Sequence, residues 1–271
     1  MIKDITIGQF FPGRSLLHRM DPRIKILITI LFIVFVFVAN NFISVGLMAV
    51  AVIGCVLLSR VPVKLYFKGL KPILFIVIFT SILNIFYFKD GHVLFQWSFI
   101  TITDEGLLRS LLITLRIVCM ILTSCALTYT TSPTDLTDAI ERLLSPLKLL
   151  RIHVHEIAMM MTIALRFVPT LLEETDKIMN AQKARGADME SGNLLQRMKA
   201  LIPILIPLFV SSFRRAYDLA VAMECRCYQG GDGRTRMKQL HMGRLDAVSL
   251  IFALCLCTGV ILCNIYLAAL L

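Results

Sequence analysis

Two arginines in this sequence stand in matching surroundings, 41 positions apart. Arg185 lies in the segment AQKARG, residues 181–186, and Arg226 lies in the segment AMECRC, residues 222–227. Both segments read small-x-x-small-Arg-small, and the small residues are Ala181, Ala184, Gly186, Ala222, Cys225 and Cys227. Small neighbours let the backbone of another protein come close, and a guanidinium group offers five donors in a planar fork to carboxylates or carbonyl groups. The pattern therefore predicts two anchors for grooves on a partner protein.

Helix capping is the alternative explanation of each arginine. A basic residue near a helix C-terminus, followed by glycine, is favoured by the helix dipole and by the tolerance of glycine for positive φ. Capping is the simpler explanation of either site alone. Because the same pattern ends two long helices, in a chain that has no nucleotide site of its own, we favour docking.

The sequence contains no phosphate-binding loop of the form Gly-x-x-x-x-Gly-Lys-Ser/Thr. Residues 230–233 include three glycines but no following Lys-Ser/Thr, which indicates a flexible break after a helix. We therefore expect this chain to bind no cofactor itself, and any energy from ATP must be supplied by another subunit.

Histidines and cysteines are the remaining candidates for catalysis or metal binding. His155-Glu156 begins like the zinc-protease pattern His-Glu-x-x-His, but Met159 stands where the second histidine would be. The eight cysteines contain no Cys-x-x-Cys pair, and we expect all eight to be small packing residues, with the cytoplasmic Cys225 and Cys227 reduced. The sequence predicts neither a metal site nor catalytic residues.

The composition indicates a membrane protein. Apolar residues make up 57% of the 271 residues, charged residues make up 17%, and the mean hydropathy is +0.78. Soluble domains are about 45–50% apolar and about 25% charged, so a soluble enzyme is excluded. The net charge of +10 fits basic cytoplasmic loops rather than nucleic-acid binding.

Uncharged runs predict five membrane-spanning helices. The run at residues 26–59 would form about 50 Å of helix, which exceeds a bilayer core of about 30 Å, so a turn at Asn40-Asn41 must divide it. The predicted spans are residues 24–39, 42–59, 72–88, 106–127 and 247–271. The predicted fold is all-α, with four spans in residues 1–131, long cytoplasmic helices in residues 132–246 and a fifth span in residues 247–271.

Basic residues predict the orientation. The first 25 residues carry five Lys or Arg, the connection after the second span carries four, and residues 89–105 have one Lys against three acids. We therefore expect a multi-pass protein of the plasma membrane, with its amino end and residues 132–246 in the cytoplasm and its carboxyl end outside. The first 25 residues lack an apolar core, so no cleavable signal peptide is predicted.

The cytoplasmic region is unusual because it combines 16 Lys and Arg and 13 Asp and Glu with long apolar runs. Capping residues at 132–135 predict a helix that reaches about residue 144. Two longer helices are predicted at residues 155–185 and 194–227, each of roughly 30 residues and about 45 Å, with internal prolines and more charge toward the end. Such helices could carry a signal from the bilayer surface into the cytoplasm.

Two arginines lie seven residues apart on one face of the predicted fourth span. Charge inside a membrane is costly enough to suggest a role. We expect Arg109 to extend to the outer interface. Arg116 lies deeper, so we expect a carboxylate or a backbone carbonyl as its partner, and we assign neither arginine to substrate binding.

The sequence resembles the EcfT family, the transmembrane (T) components of energy-coupling factor (ECF) transporters, which are ABC importers for vitamins and trace metals. The resemblance covers almost the whole chain. It rests on paired Ala-Arg-Gly-type motifs, here residues 184–186 and the variant 225–227, and on an amino-terminal stretch at residues 8–15 and 18–23. That stretch is more similar to shared T-components, which serve several substrate-binding proteins, than to those dedicated to cobalt or biotin.

The resemblance implies a scaffold rather than an enzyme. In this family two cytoplasmic ATPases bind ATP with magnesium, and a small membrane protein, the S-component, binds the substrate. The T-component joins them through coupling helices whose terminal arginines lie in grooves of the ATPases. Carried over to this chain, Arg185 and Arg226 each engage one ATPase and their small neighbours permit the close fit. The cysteines of the second motif depart from the usual Ala and Gly.

The resemblance also implies that the coupling helices contact the S-component. Methionine repacks easily and suits an adaptable surface. The candidates are Met159, Met160, Met161, Ile202, Leu205 and Phe209. Their alternative role is packing among the coupling helices or against lipid.

Two other classes of protein stay open. A self-contained secondary transporter needs polar groups near the middle of the bilayer, where only Arg116 comes close to qualifying. An integral membrane enzyme would use His153, His155 or Cys225, but the sequence pattern shows no converging acid, base and nucleophile. The substrate is not identified by this sequence, because another chain recognises it in the EcfT family.

Overall fold

A computed structural model describes residues 10–87, 93–97, 100–146, 153–187, 193–230 and 240–268. Within these residues the chain forms nine helices and one antiparallel two-stranded sheet. The elements are α1 Leu16–Arg19, α2 Pro22–Val38, α3 Phe42–Ser59, α4 Val63–Tyr87, β1 Val93–Trp97, β2 Ile100–Thr103, α5 Asp104–Thr130, α6 Pro133–Leu143, α7 Val154–Ala184, α8 Leu194–Glu224 and α9 Arg244–Ala268. Apart from the short hairpin, these elements confirm the predicted all-α class.

Six of the described helices are long and apolar enough to cross a membrane. Four of them, α3, α4, α5 and α9, coincide with predicted spans, and the other two are α7 and α8. The first predicted span corresponds to α2, which has 17 residues. α7 and α8 have a lower mean hydropathy than the other four helices, because charged residues are distributed along them. The chain is a multi-pass membrane protein of helical class.

The chain folds as two compact units, which divide within α6 between Leu136 and Thr137. The bundle unit contains α1 to α5 and α9, and the paired-helix unit contains α7 and α8. The bundle unit brings together helices that are distant in sequence, since α9 packs on α2 and α3, whereas the paired-helix unit joins two consecutive helices.

The turn between α2 and α3 forms where the two asparagines predict it. α2 ends at Val38, and the side-chain amide of Asn264 on α9 donates to the Val38 carbonyl over 2.7 Å. At the other end of α2 the Asp21 carboxylate accepts a hydrogen bond from the Arg23 amide over 2.9 Å. Both ends of this helix are therefore capped by polar side chains, as a helix in an apolar bundle requires.

The apolar core of the bundle unit lies between α2, α3, α5 and α9. Its buried side chains include Phe32, Val36, Val45, Met48, Val52, Cys119, Ala253 and Val260. α4 packs closely on α5 at Gly69, where a Cβ atom would lie 2.8 Å from the Tyr129 hydroxyl. Many large apolar side chains face outward from these helices, as a lipid solvent permits.

Candidate docking site

The paired-helix unit is built from two helices of equal length, since α7 and α8 each contain 31 residues. A capping box begins α8: the backbone N–H of Asn193 donates to the side-chain oxygen of Gln196 over 3.0 Å, and the Asn193 side chain accepts in return. Both helices contain internal proline. Their tertiary pairing, described next, supplies the stability that propensity alone does not.

α7 and α8 run antiparallel, because residues later in α7 contact residues earlier in α8. The contacts join the Met159 sulfur to the Tyr228 hydroxyl (3.0 Å), the Glu174 carboxylate to the Arg215 guanidinium (2.7 Å) and the Gln182 amide to the Pro203 carbonyl (3.3 Å). The C-terminal ends of the helices therefore lie at opposite ends of the pair. We call residues 181–187 the first end and residues 222–228 the second end.

Proline creates one of these contacts. Pro207 has no backbone N–H, so the carbonyl of Pro203 lacks the donor that an α-helix supplies four residues later. The side-chain amide of Gln182 on α7 donates to this carbonyl instead. The backbone opened by proline thus binds α7 three residues before Arg185.

The first end is a Schellman cap. The Gly186 amide donates to the Lys183 carbonyl over 3.0 Å, and the Ala187 amide donates to the Gln182 carbonyl over 3.0 Å. Gly186 has a φ of +85°, which glycine adopts without a steric penalty. Arg185 is the last residue before this left-handed turn, and it is exposed.

The second end has the same backbone bonds. The Cys227 amide donates to the Glu224 carbonyl over 2.8 Å, and the Tyr228 amide donates to the Met223 carbonyl over 3.1 Å. Cys227 has a φ of +54°, a left-handed conformation that costs a residue with a side chain about 1–2 kcal/mol. Arg226 is again the exposed residue before the left-handed position.

The geometry of the first end therefore recurs 41 residues later, with Arg185 matching Arg226 and Gly186 matching Cys227. Neither guanidinium forms an ion pair with a residue that the structure describes. Backbone groups complete both caps. Capping thus explains the residue that follows each arginine and does not use either arginine side chain.

The small residues beside the two arginines are also exposed. They are Ala181, Ala184, Gly186, Ala222, Cys225 and Cys227. The expectation that all eight cysteines are packing residues is wrong for Cys225, Cys227 and Cys255, which are exposed: the first two lie in the cap turn at the surface, and Cys255 lies on the outer side of α9. It is confirmed for Cys119 and Cys257, which are buried in the bundle unit.

The candidates for S-component contact lie on open surface with one exception. Met160, Met161, Ile202, Leu205 and Phe209 are exposed, whereas Met159 is half-buried and contacts Tyr228. On α8 the exposed apolar positions continue at helical spacing, to Phe213 and Tyr217. Sequence reasoning missed these two aromatic residues because it took its candidates on α8 from the apolar run 202–209 and did not follow the helical period beyond it. We call the exposed apolar residues from 198 to 217 the α8 face.

The amino-terminal stretch is fixed to two other helices of the bundle unit. The Phe11 amide donates to the carbonyl of Tyr129, near the end of α5, over 2.9 Å. The Asp21 amide donates to the carboxylate of Asp246, near the start of α9, over 2.8 Å. This stretch therefore joins helices at one end of the bundle. Two of its residues, Gly8 and Gln9, lie outside the described residues.

The two membrane arginines occupy different environments. Arg116 donates to the backbone carbonyl of Ala39 over 2.5 Å, a partner of the kind expected. Ala39 directly follows the end of α2, so the side chain of Arg116 reaches from the middle of α5 to the end of α2. Arg109 lies 3.5 Å from the Glu105 carboxylate one turn earlier, and both side chains are half-exposed.

The residues proposed for a membrane enzyme do not form a recognisable centre. His155 is bound by Glu141 of α6, with 3.0 Å between Nδ1 and Oε1. His153 is exposed just before α7, and Cys225 belongs to the second end. The described residues contain no group of three His, Cys, Asp or Glu that could hold a metal ion.

Known proteins resemble this chain over most of its length. A family model described as CbiQ, cobalt transport protein, matches residues 13–237. A protein of Ruminiclostridium cellulolyticum, named energy-coupling factor transporter transmembrane protein EcfT, is 56% identical over 248 residues, 92% of each chain. Proteins of the same name from Clostridium kluyveri (52% over 267 residues, 98% of this chain and 99% of the relative) and Bacillus subtilis (51% over 240 residues, 89% and 91%) are similar to it as well.

Proposed function

The chain belongs to the EcfT family of energy-coupling factor transporter transmembrane proteins, and from this premise we propose that it is the non-catalytic scaffold of an ATP-driven importer. In this role each end of the helix pair binds one cytoplasmic ATPase subunit, and the α8 face binds an S-component. ATP and magnesium are bound by the ATPases. The substrate, a vitamin or another micronutrient, is bound by the S-component.

The observation that carries this proposal is the pair of matched, exposed arginines at opposite ends of an antiparallel helix pair. Arg185 lies 11 residues after Glu174, and Arg226 lies 11 residues after Arg215, the residue that binds Glu174. At 1.5 Å per residue each end is about 16 Å from this central contact, so the two ends are about 33 Å apart. Two matched anchors suit two partner subunits of one fold, because a two-fold arrangement presents the same surface twice.

The proposed mechanism uses binding energy rather than chemistry in this chain. Each exposed arginine enters a groove on an ATPase and donates to carboxylate or carbonyl groups there. When the ATPases close on ATP, the separation or angle of their grooves changes, and the ends of α7 and α8 follow. The two states of the scaffold can differ only by as much as its partners bind them differently.

ATPase binding requires the paired-helix unit to lie in the cytoplasm. The amino end then also lies in the cytoplasm and the carboxyl end outside, in accordance with the basic residues. α7 and α8 are apolar enough to cross a membrane, and in this arrangement a protein partner covers their exposed apolar residues. An apolar surface that extends along a whole helix is typical of an interaction site.

Affinity purification from native membranes in mild detergent tests the docking. The wild-type chain is compared with Arg185→Ala combined with Arg226→Ala. The matched control is Arg166→Ala combined with Arg214→Ala, since these are exposed arginines within the same two helices. We expect two ATPase chains and at least one small membrane protein with the wild type and the control, and loss of the ATPases from the docking variant.

Two results would contradict the scaffold. One is full retention of both ATPases by the docking variant, which would mean that other surfaces hold them. The other is a wild-type chain that purifies alone under every mild condition and still transports or catalyses, which would restore the secondary transporter or the membrane enzyme.

A further inference from the structure

Glu174 of α7 binds two residues of α8 near the middle of the helix pair. Its Oε2 accepts a hydrogen bond from Arg215 Nη2 over 2.7 Å, and its Oε1 accepts one from the Ser211 hydroxyl. The side chains are partly covered, with 21% of Glu174 and 39% of Arg215 exposed. Both carboxylate oxygens are therefore held by the neighbouring helix.

This contact lies at the centre of the repeat that relates the two ends. Glu174 and Arg215 are 41 positions apart, the same interval that separates Arg185 from Arg226. In two matched antiparallel helices, equivalent positions meet at the two-fold axis. Neither of the 11-residue stretches between the contact and the ends contains proline, so each is a continuous lever of the same length.

The contacts on either side of the centre are weaker in kind. Toward the first end, the neutral amide of Gln182 donates to a backbone carbonyl at 3.3 Å. Toward the second end, the Tyr228 hydroxyl meets the Met159 sulfur, which is a weak acceptor. Hydrogen bonds between charged groups are roughly twice as strong as neutral ones. The strongest contact thus lies at the centre of the pair, where a change in the crossing angle moves the two helices least.

Arg215 also has a donor nitrogen that the contact with Glu174 does not use. Its Nε is buried and has no hydrogen-bond partner among the described residues. A guanidinium group that binds a carboxylate through two parallel bonds uses two of its nitrogens at once. When α8 rotates against α7, Nε can therefore donate to Glu174 in place of Nη2 or together with it, and Arg215 stays bound to Glu174.

We propose that Glu174 and Arg215 form the pivot on which the two coupling helices turn. The proposal rests on the function proposed above. When an ATPase moves one end, the pair keeps the helices joined at the centre, so the displacement becomes a rotation that reaches the α8 face. Glu174 and Arg215 are positioning residues, because they act through the helices and contact neither ATP nor substrate.

Hydrogen exchange in the complete wild-type complex, with and without ATP plus vanadate, detects the effect of this rotation on the α8 face. The readout is the ATP-dependent change in amide exchange of residues 198–213 in α8, recorded together with the rate of ATP hydrolysis. Glu174→Gln keeps the shape of the side chain and removes its charge. Glu173→Gln, at the exposed neighbouring position, is the matched control.

We expect Glu174→Gln to keep both ATPases and their hydrolysis but to reduce the ATP-dependent change in exchange about fivefold, the lower range of typical coupling between sites. Glu173→Gln should behave like the wild type. The exchange of both charges, Glu174→Arg with Arg215→Glu, should restore most of the change, since it rebuilds the pair at equivalent positions. A role in stability alone predicts altered exchange without ATP and an unaltered response to it.

Several results would overturn the pivot. One is a full ATP-dependent change in amide exchange in Glu174→Gln, and another is the absence of this change in the wild-type complex. A third is loss of the ATPases from Glu174→Gln, which would mean that the pair belongs to the docking ends. If Glu174→Gln does not accumulate in membranes, Arg215→Lys is measured instead, because lysine keeps the positive charge and lacks the planar guanidinium group. A full ATP-dependent change in amide exchange in Arg215→Lys would overturn the pivot. A wild-type chain without ATPases instead contradicts the proposed function itself.

Discussion

The two ends of the helix pair share their backbone geometry and differ in the residue that makes the turn. Gly186 takes a φ of +85° at the first end, and Cys227 takes +54° at the second. Glycine has no steric penalty in this region, whereas a residue with a Cβ atom pays about 1–2 kcal/mol. The second end keeps the shape in spite of this cost. The two ends thus have in common the cap and the arginine that precedes it, rather than a particular small residue.

The ends also differ in how they are fastened to the neighbouring helix. The first is fastened before its arginine, by Gln182, and the second after its arginine, by Tyr228. The first end is held by a hydrogen bond to the Pro203 carbonyl, which has no helical donor, and the second end is held by a contact with the Met159 thioether. The arginines themselves take no part in either contact, which is why their loss should spare the helix pair.

Substitution of Gly186 gives the strongest test of the difference between the two ends. Gly186→Ala introduces a Cβ atom with open space around it, so any loss must come from the left-handed backbone. We expect amide exchange at Ala187, whose hydrogen bond closes the cap, to become about tenfold faster, which corresponds to about 1.4 kcal/mol. Hydrogen-exchange mass spectrometry of the purified chain measures it.

Gly54→Ala is the matched control for this change. A Cβ atom at Gly54 would also meet open space, but this glycine lies within α3 at a negative φ. Alanine there should be neutral or stabilise the helix by up to about 1 kcal/mol. If Gly186→Ala proves as harmless as Gly54→Ala, the left-handed turn does not define the first end.

A smaller effect is expected at the second end. Cys227→Gly relieves the strained backbone but adds freedom to the unfolded chain, so we expect a net gain of about 0.5 kcal/mol and amide exchange at Tyr228 about twofold slower. Cys227→Ala keeps the Cβ atom and should leave the exchange rate unchanged. Faster exchange in Cys227→Gly would show that the thiol itself stabilises the cap.

Local chemistry in the sequence was sufficient to predict several elements. The turn at Asn40-Asn41 is confirmed between α2 and α3. The capping residues at 132–135 predict the start of α6, where the Asp135 amide donates to the Ser132 hydroxyl over 3.1 Å. The break after Arg185 lies where Gly186 allows a positive φ, whereas α8 ends at Glu224, three residues before the predicted end at residue 227. In each case the signal lies within a few residues of the feature that it predicts.

Features that depend on distant partners escaped sequence reasoning. The antiparallel pairing of α7 with α8 and the Glu174–Arg215 contact join residues 41 positions apart, and helical periodicity does not specify which helices pair. α4 begins at Val63, well before the apolar run that starts at Pro72, because tertiary packing extends a helix beyond its apolar part. The β1–β2 hairpin was not predicted in the loop between the third and fourth spans.

The central claim is that each arginine holds one ATPase subunit. Native mass spectrometry of the nucleotide-free complex, with Arg185→Ala and Arg226→Ala tested separately, counts the subunits directly. We predict two ATPases on the wild-type chain and one on each single variant, since loss of an anchoring arginine typically costs about 2 kcal/mol or more. If the two ATPases differ in sequence, the variants should lose different ones. Retention of both ATPases by both variants would contradict the account.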